Sequence, residues 1–380
     1  MGILLFVLGL FLFIGLILIH EWGHFIMARR NGVEVEEFGL GFPPRAKIIK
    51  KHHGTIYSLN WLPLGGFVKL KGEHDIDTEP GTFGNATTLA KIKIMLAGVI
   101  MNLLTAFVIF TIVALIGMPK LLDNQSTVAS DTKTENIIRD QGIIKIGRVV
   151  ENSPAAKAGL MEDDEIVRIA LIESNIVDDI TAATEANAGQ TVQVELRRGT
   201  ELIVKDIKLN DTSPYLGVGP FDATINIEIR RSTWSAPIVA AAVMKDFTIA
   251  TLKGLGAALG GLGSTIAGIV TGNKEARQAG QTEASEQVSG PVGIFTALYN
   301  ISKLGLGLVL FIIALISLTL AIMNALPIPA LDGGRLFVTL LYRAIRRPLR
   351  PEIEERIHGT GFAVLMLLFL LITIVDIRRL

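Results

Sequence analysis

The chain has 380 residues, with 36 basic and 36 acidic side chains and no cysteine. Half of the residues are apolar and 19% are charged, against about 25% in an ordinary soluble domain. Zero net charge argues against a general nucleic-acid binder, which needs a basic surface. The lack of cysteine excludes disulfides, thiolate catalysis and cysteine-ligated metal centres. The composition therefore predicts a membrane protein with one or two water-facing parts.

Four apolar stretches are long enough to cross the hydrocarbon core of a bilayer, which takes about 20 helical residues. They are Gly2 to Ile19, Met95 to Met118, Leu304 to Leu326 and Gly359 to Val375. The first lacks the basic start and small-residue cleavage site of a secretory signal, so we expect it to be retained. The sequence thus predicts four membrane spans.

A fifth uncharged stretch, Gly254 to Gly272, contains seven glycines, which are costly in an isolated helix. The segment before it, Ser235 to Lys253, places Lys245 and Asp246 among apolar residues. Together these segments predict an amphipathic element that lies at the membrane surface.

Basic residues near the ends of the spans set the expected orientation. They cluster in the loop after the first span and in the loop before the fourth: Arg29, Arg30, Arg45, Lys47, Lys50 and Lys51, and then Arg343, Arg346, Arg347 and Arg350. Both loops are predicted to be cytoplasmic, which places the two termini and the segment between the second and third spans outside. Arg378 and Arg379 depart from this rule.

The long polar segment between the second and third spans is predicted to be a small, mainly β domain. Ile144 to Asn152 and Thr191 to Arg197 alternate like strands, and Glu201 to Leu209 is the expected hairpin partner of the second. Ser153 to Gly159 is typical of a short capped helix. Asn273 to Gln287 is polar and is predicted to be a flexible connector.

The motif with the sharpest chemistry is His20-Glu21-Trp-Gly-His24 at the end of the first span. On a helix, residues four apart share a face, so both imidazoles can bind one zinc ion beside the Glu21 carboxylate. Ionisable residues at the end of an apolar helix are expensive unless they form a site. A third ligand is needed, and the candidate is Asp332, although Asp-Gly is also common in an ordinary turn.

The number of spans links these residues. With four spans, the first and the third run in the same direction, so His20, His24 and Asp332 fall near the cytoplasmic ends of their helices. A fifth span at Gly254 to Gly272 would reverse the third and place Asp332 on the opposite face.

Taken together, these motifs resemble the site-2 protease family of intramembrane zinc metalloproteases, specifically its bacterial members with an inserted PDZ domain. The resemblance runs almost end to end. It rests on His20–His24, Gly39–Arg45, Leu62–Glu73, Ser153–Leu160, Ser289–Ile294 and Asn324–Arg335.

The resemblance implies a zinc (Zn²⁺) site with His20, His24 and Asp332 as ligands and Glu21 as general base. It also implies that Asn324 steadies the substrate or the reaction intermediate near the metal.

One motif departs from the family pattern. The second span of the family usually has Gly-Pro-x-x-Asn, whereas this chain has Gly98, Val99 and, three residues further on, Asn102. Without the proline, the sequence does not decide whether the helix is kinked at this point. Asn102 is compatible with helix packing and with a role in the site.

The resemblance implies a polytopic α-helical membrane protein with four transmembrane helices, a membrane-associated β segment and an inserted, mainly β PDZ domain. The expected boundaries are 1–30 for the first span with the zinc motif, 31–88 for the β segment, 89–119 for the second span, 125–216 for the PDZ domain, 217–302 for a connector with an interfacial helix, 303–335 for the third span with the Leu-Asp-Gly motif, and 336–380 for a cytoplasmic loop and the fourth span.

The function implied is hydrolysis of peptide bonds within or near the transmembrane segments of trimmed single-pass proteins, such as anti-sigma factors and remnant signal peptides. The enzyme would lie in the inner or plasma membrane lipid bilayer, with its active site near the cytoplasmic face and its PDZ domain outside. Residues Glu36 to Glu73 are predicted to pair with an unwound substrate strand. The alternative is a non-catalytic, PDZ-bearing membrane scaffold.

Three further histidine-containing segments are expected to have plainer roles. His52-His53 is predicted to be a solvated or substrate-facing edge. The loop from His74 to Glu79 lacks the ligand pattern of a calcium site and is predicted to be solvated. His358 is predicted to cap the fourth span.

Overall fold

The computed structural model describes residues 2–73, 77–122, 124–128, 133–137, 144–170, 172–173, 177–223, 227–271, 273–274, 290–347 and 349–379. Most of the predicted connector at 273–287, and His74 with its two successors, lie outside these residues. The chain forms two compact units, of which one contains Thr134–Ile229 and the other contains the chain on both sides of it.

The larger unit is mainly helical. Its helices are α1 (Gly2–Arg30), α2 (Thr88–Ile116), α5 (Ala236–Thr271), α6 (Pro291–Ser302), α7 (Leu306–Ala325), α8 (Asp332–Ala344) and α9 (Pro351–Arg379). Among the described residues, α1, α2, α7 and α9 are long and apolar enough to cross a membrane. The structure therefore supports a multi-pass membrane protein with the four predicted spans.

Helix α5 continues without a break through the glycine-rich stretch that begins at Gly254. Its first half packs against α2 and α7 through a cluster that includes Val243, Phe247, Phe110 and Phe311. The placement of α5 at the membrane surface stays a prediction.

The region around the fourth span differs from the sequence prediction in two respects. Helix α9 begins at Pro351, eight residues before the predicted start. Proline suits the first helical turn, and the charges of Glu352 and Glu354 interact favourably with the positive end of the helix dipole there. The prediction that His358 caps this span is therefore wrong, since His358 lies inside α9. The segment predicted as a cytoplasmic loop also contains α8.

The β segment is a long antiparallel hairpin of β1 (Val35–His52) and β2 (Thr55–Leu70). Its turn places His53 and Gly54 at positive φ, a geometry that suits the twist of a two-residue hairpin. Phe38 pairs with both Tyr57 and Val68. Residues 35–40 therefore lie between the two halves of β2, and residues 66–70 form an outer edge.

An ion pair between the exposed Arg45 and the buried Glu37 braces this hairpin. Glu37 accepts hydrogen bonds from Arg45 and, at 2.5 Å, from the Ser58 hydroxyl. Burial opposes ionisation of Glu37, but these hydrogen bonds outweigh it and hold the pKa of the carboxyl below its usual value.

The smaller unit contains a six-stranded sheet of β5 (Ile144–Val149), β6 (Glu165–Ile169), β7 (Ile172–Glu173), β8 (Thr191–Arg198), β9 (Glu201–Lys208) and β10 (Val218–Ala223). The strand order is β10-β5-β6-β8-β9, with β7 paired to β6, and β8 and β9 form the predicted antiparallel hairpin. The compact unit extends beyond residue 216, the predicted domain end, because β10 pairs with β5.

Two short helices complete this unit, α3 (Pro154–Lys157) and α4 (Val177–Ala186). As predicted, α3 is capped by Ser153, whose hydroxyl accepts a hydrogen bond from the Ala156 amide. Inward-facing residues such as Ile146, Ile166 and Val194 form an apolar core. The short strand β4 (Lys133–Ile137) opens the unit, β11 (Ile227–Arg231) spans its end, and β3 (Met118–Pro119) precedes it in the sequence.

Candidate metal centre

Helix α1 carries the first two members of a histidine–carboxylate cluster. The four-residue spacing of His20 and His24 places their rings on one face, with ring centroids 4.9 Å apart. His20 is 8% exposed. A pair of imidazoles this deep in an apolar helix requires polar partners, because unpaired polar groups are costly to bury.

Asp332 supplies the third member of the cluster. Its Oδ2 lies 3.0 Å from His20 Nε2 and 3.2 Å from His24 Nε2, and the two Nε2 atoms are 3.2 Å apart. The ligands of a tetrahedral zinc ion, with bonds of about 2.0–2.2 Å, lie about 3.4 Å from one another. The three atoms therefore fit a zinc site in both spacing and chemistry.

The chain after α7 folds tightly to bring Asp332 to the histidines. Helix α7 ends before Pro327, which lacks an amide hydrogen and cannot continue the helix. Glycine is required next: a Cβ on Gly334 would collide with the Ile328 carbonyl, and one on Gly333 would lie 2.5 Å from the Leu326 oxygen. These close contacts place Asp332 at the first position of α8.

Gly98 makes room for both histidines on the neighbouring helix, α2. A Cβ built on Gly98 would lie 2.6 Å from His20 Nε2 and would also collide with His24 Nε2. On α1, a Cβ on Gly23 would lie 2.7 Å from the Ala97 carbonyl oxygen. The two helices therefore approach closely at these glycines.

We expect Gly98→Ala to reduce zinc affinity and proteolysis at least tenfold, because the added methyl group displaces the imidazoles from Asp332. Gly15→Ala is the matched control, since a Cβ on Gly15 meets nothing within 4 Å. Metal analysis and a cleavage assay on the purified variants check this expectation. Equal zinc content and activity in the two variants would contradict the assignment of Gly98.

The outer nitrogens of both imidazoles also have partners. His24 Nδ1 lies 2.7 Å from the Ile94 carbonyl oxygen, and His20 Nδ1 lies 3.2 Å from the side-chain amide of Asn102. Asn102 belongs to α2, which continues as an unbroken helix past Val99. The replacement of the usual family proline by Val99 thus leaves the helix regular at this point.

Glu21 lies beside the edge of the β hairpin. A Cβ on Gly66 would lie 3.1 Å from Glu21 Cγ. The hairpin edge at residues 66–70 therefore borders the Glu21 side chain.

Asn324 is not joined to this cluster by a hydrogen bond. It is half-buried on the last turn of α7. Over the residues that the structure describes, its amide has no hydrogen-bond partner. The cluster thus contains His20, His24 and Asp332. Glu21 lies beside the hairpin edge, and Asn324 lies eight residues before Asp332 in the sequence.

A cavity of about 750 Å³ has Asp332 on its wall. The other walls come from the hairpin, the segment after it, α8 and α9, and include the charged residues Glu36, Lys69, Glu73, Asp77, Arg335, Glu354 and Glu355. Arg335 donates a 2.9 Å hydrogen bond to the Glu73 carbonyl and lies 3.8 Å from Glu354. Sequence reasoning missed this bridge, for which the adjacent Gly-Gly-Arg run was the available signal.

Comparison with known proteins identifies the family. Residues 8–368 match peptidase family M50. The chain belongs to this family. The Clostridium perfringens protein CPE1693, whose name is that of a zinc metalloprotease, is 31% identical over 373 residues, 98% of each chain. The regulator of sigma-W protease RasP from Bacillus subtilis is 27% identical over an alignment of 451 positions that covers 96% of each chain.

The family assignment agrees with the predicted class of enzyme. Family M50 contains the site-2 proteases, and this M50 chain is a zinc metalloprotease whose cofactor is Zn²⁺. Its four apolar helices make it a multi-pass protein of the plasma membrane.

Proposed function

We propose that the protein is an intramembrane endopeptidase whose zinc ion is bound by His20, His24 and Asp332, and that it cleaves peptide bonds within or near the transmembrane segments of single-pass proteins. The observation that carries this proposal is the convergence of two imidazole nitrogens and a carboxylate oxygen within 3.2 Å of one another. Two of the three lie on a helix long enough to span the bilayer.

The position of the cluster along α1 supports cleavage close to one membrane face. His20 lies eighteen residues after Gly2, or about 27 Å along a helix that rises 1.5 Å per residue. The basic residues beyond α1 favour the cytoplasmic side for this end. The active site therefore lies near the cytoplasmic face, and the domain between α2 and α7 lies outside.

The proposed chemistry assigns proton transfer to Glu21. Zinc bound here supplies a Lewis acid that polarises the scissile carbonyl and lowers the pKa of water. The Glu21 carboxylate removes a proton from the attacking water and delivers it to the departing amine nitrogen. The hairpin edge at Gly66 lies against the Glu21 side chain, and the Asn324 amide, near the end of α7, donates a hydrogen bond to the substrate.

Substrate binding by strand addition fits the hairpin geometry. A transmembrane helix hides its carbonyl groups in internal hydrogen bonds, so it must unwind before hydrolysis. Residues 66–70 form a sheet edge that borders Glu21. An unwound substrate strand pairs with this edge and presents its carbonyl group to the metal centre.

The substrates proposed are single-pass proteins already shortened outside the membrane, such as anti-sigma factors and remnant signal peptides. The similarity to the regulator of sigma-W protease supports the first class. A charged cavity beside Asp332 supports the same proposal, because a polar peptide segment and water can occupy it.

The residues 134–229 are proposed to be a PDZ domain that acts as an outward-facing size filter. The support is its six-stranded sheet with two helices and its position between the second and third spans. A unit of this length is about 25 Å across, enough to obstruct a substrate that keeps a bulky outer domain.

Deleting residues 134–229 and joining the flanks with a flexible linker is expected to leave cleavage of a trimmed substrate within about threefold of wild type. Cleavage of the untrimmed substrate should rise from background to a comparable rate, because the obstruction is removed. Gel-based assays with both substrates measure the two rates. Loss of trimmed-substrate cleavage in a variant that still binds zinc would show that the domain instead helps to place the substrate.

The rival function is a non-catalytic scaffold that works through its PDZ domain. A scaffold does not require a complete ligand set with supporting glycines, and the assembled cluster of His20, His24 and Asp332 therefore favours catalysis.

Reconstitution in liposomes tests the proposed function. The purified protein and a trimmed single-pass substrate are incorporated together, and the products are mapped by mass spectrometry. We expect a cut within the transmembrane segment or a few residues from its cytoplasmic end. Cleavage confined to outer loops, or none with zinc-loaded protein, would overturn the proposal.

A further inference from the structure

The two histidines of the metal centre differ in how their outer nitrogens are held. His24 Nδ1 lies 2.7 Å from the Ile94 carbonyl oxygen, which can only accept a hydrogen bond. Nδ1 of His24 therefore carries the proton, and Nε2 keeps its lone pair toward the centre. A backbone carbonyl thus fixes the tautomer of one ligand.

The side-chain amide of Asn102, the partner of His20 Nδ1, can either donate or accept a hydrogen bond. The nitrogen of the Asn102 amide lies 3.2 Å from His20 Nδ1, while its oxygen, within the described part of the chain, has no hydrogen-bond partner. In this orientation the amide donates to Nδ1, and the proton of His20 resides on Nε2, from which it is donated to Asp332 at 3.0 Å. That tautomer cannot bind a metal through Nε2.

Rotation of the amide by 180° reverses this arrangement. The amide oxygen and nitrogen are nearly equal in size, so the rotation exchanges them without displacing a neighbour. The oxygen then accepts a hydrogen from Nδ1, and Nε2 is left with a free lone pair. Only this orientation is compatible with His20 as a ligand through Nε2.

We propose that Asn102 is a positioning residue that selects the metal-binding tautomer of His20 by accepting its Nδ1 hydrogen. The inference rests on the proposed role of His20 as a zinc ligand. It assigns to Asn102 the role that the Ile94 carbonyl has for His24. The orphaned amide oxygen and the neighbouring imidazole thus belong to one hydrogen-bonded pair that forms when Nε2 binds zinc.

The surroundings of Asn102 hold it in place for this role. Asn102 is 1% exposed, and its backbone carbonyl accepts a 2.8 Å hydrogen bond from the Ser317 hydroxyl on α7. Water cannot readily replace a partner at such a buried position. Loss of the Asn102 acceptor would therefore leave the Nδ1 hydrogen of His20 unsatisfied.

Two variants of nearly equal size test the proposal. Asn102→Leu removes the acceptor, and Asn102→Asp keeps an acceptor but removes the donor. Competition with a fluorescent zinc chelator should show that Asn102→Leu binds zinc about 10–100-fold more weakly, the usual effect of losing such a partner. Asn102→Asp should stay within about threefold of wild type or bind more tightly. Thr111→Val, which removes from the same helix a hydroxyl that bonds only the Phe107 carbonyl, should be unchanged.

Wild-type affinity in Asn102→Leu, or equal weakening in both Asn102 variants, would overturn the proposal. A second measurement needs no variant. Nitrogen-15 spectra of the zinc-loaded full chain, labelled at histidine, should show two metal-bound imidazoles, each ligated through Nε2 and protonated at Nδ1. A metal-bound ring ligated through Nδ1 would exclude the role of Asn102. Failure of zinc to bind wild-type protein would instead refute the proposed function.

Discussion

Replacing Glu21 by glutamine is expected to lower peptide-bond cleavage at least 100-fold while zinc content and folding stay unchanged. Proton transfer by a positioned carboxylate contributes about 10²–10⁴-fold to such reactions. The amide of glutamine keeps the size of the side chain but cannot accept the proton of the attacking water. The cleavage assay in liposomes, with metal analysis of the same preparation, measures both quantities.

Glu34→Gln is the matched control. Glu34 forms an exposed ion pair with Lys71 in the larger unit, so the same chemical change there should leave cleavage unaffected. Turnover by Glu21→Gln near the wild-type rate would show that another group transfers the proton. Loss of zinc from Glu21→Gln would show that Glu21 acts on the metal and not on the water.

The second large effect concerns the metal itself. Purified protein is expected to contain about one zinc ion per chain, and His20→Ala and Asp332→Ala should each lose nearly all of it. Removing one residue leaves only two protein ligands at a site where His20, His24 and Asp332 contact one another. Two ligands bind zinc too weakly to keep it through purification. Elemental analysis after gel filtration measures the content.

His52→Ala controls for general effects of histidine removal, because His52 is exposed at the turn of the hairpin. Its zinc content should equal that of the wild type. Full zinc retention by either His20→Ala or Asp332→Ala would remove that residue from the site.

The sequence was sufficient to predict the four spans and the residues of the cluster. The spans follow from the length of the apolar stretches, which the bilayer imposes on any helix that crosses it. His20 and His24 follow from helical periodicity, whereas Asp332 was a candidate that the direction of the third span allows and that the resemblance to the site-2 protease family implies. These features depend on local pattern and on counting.

Features that depend on three-dimensional approach were not predicted. The need for glycine at position 98 arises only when α1 and α2 pack with both imidazoles between them. The double pairing of Phe38 requires β2 to bend around residues 35–40. The early start of α9 was missed because the span was predicted from its apolar stretch alone, whereas the first turn of the helix is charged.

The central claim is that His20, His24 and Asp332 bind one zinc ion, and anomalous scattering at the zinc absorption edge from crystals of the full chain tests it most directly. We predict a single strong peak about 2.0–2.2 Å from Nε2 of each histidine and from Oδ2 of Asp332. A zinc peak bound elsewhere in the chain, with these three side chains free of metal, would contradict the account.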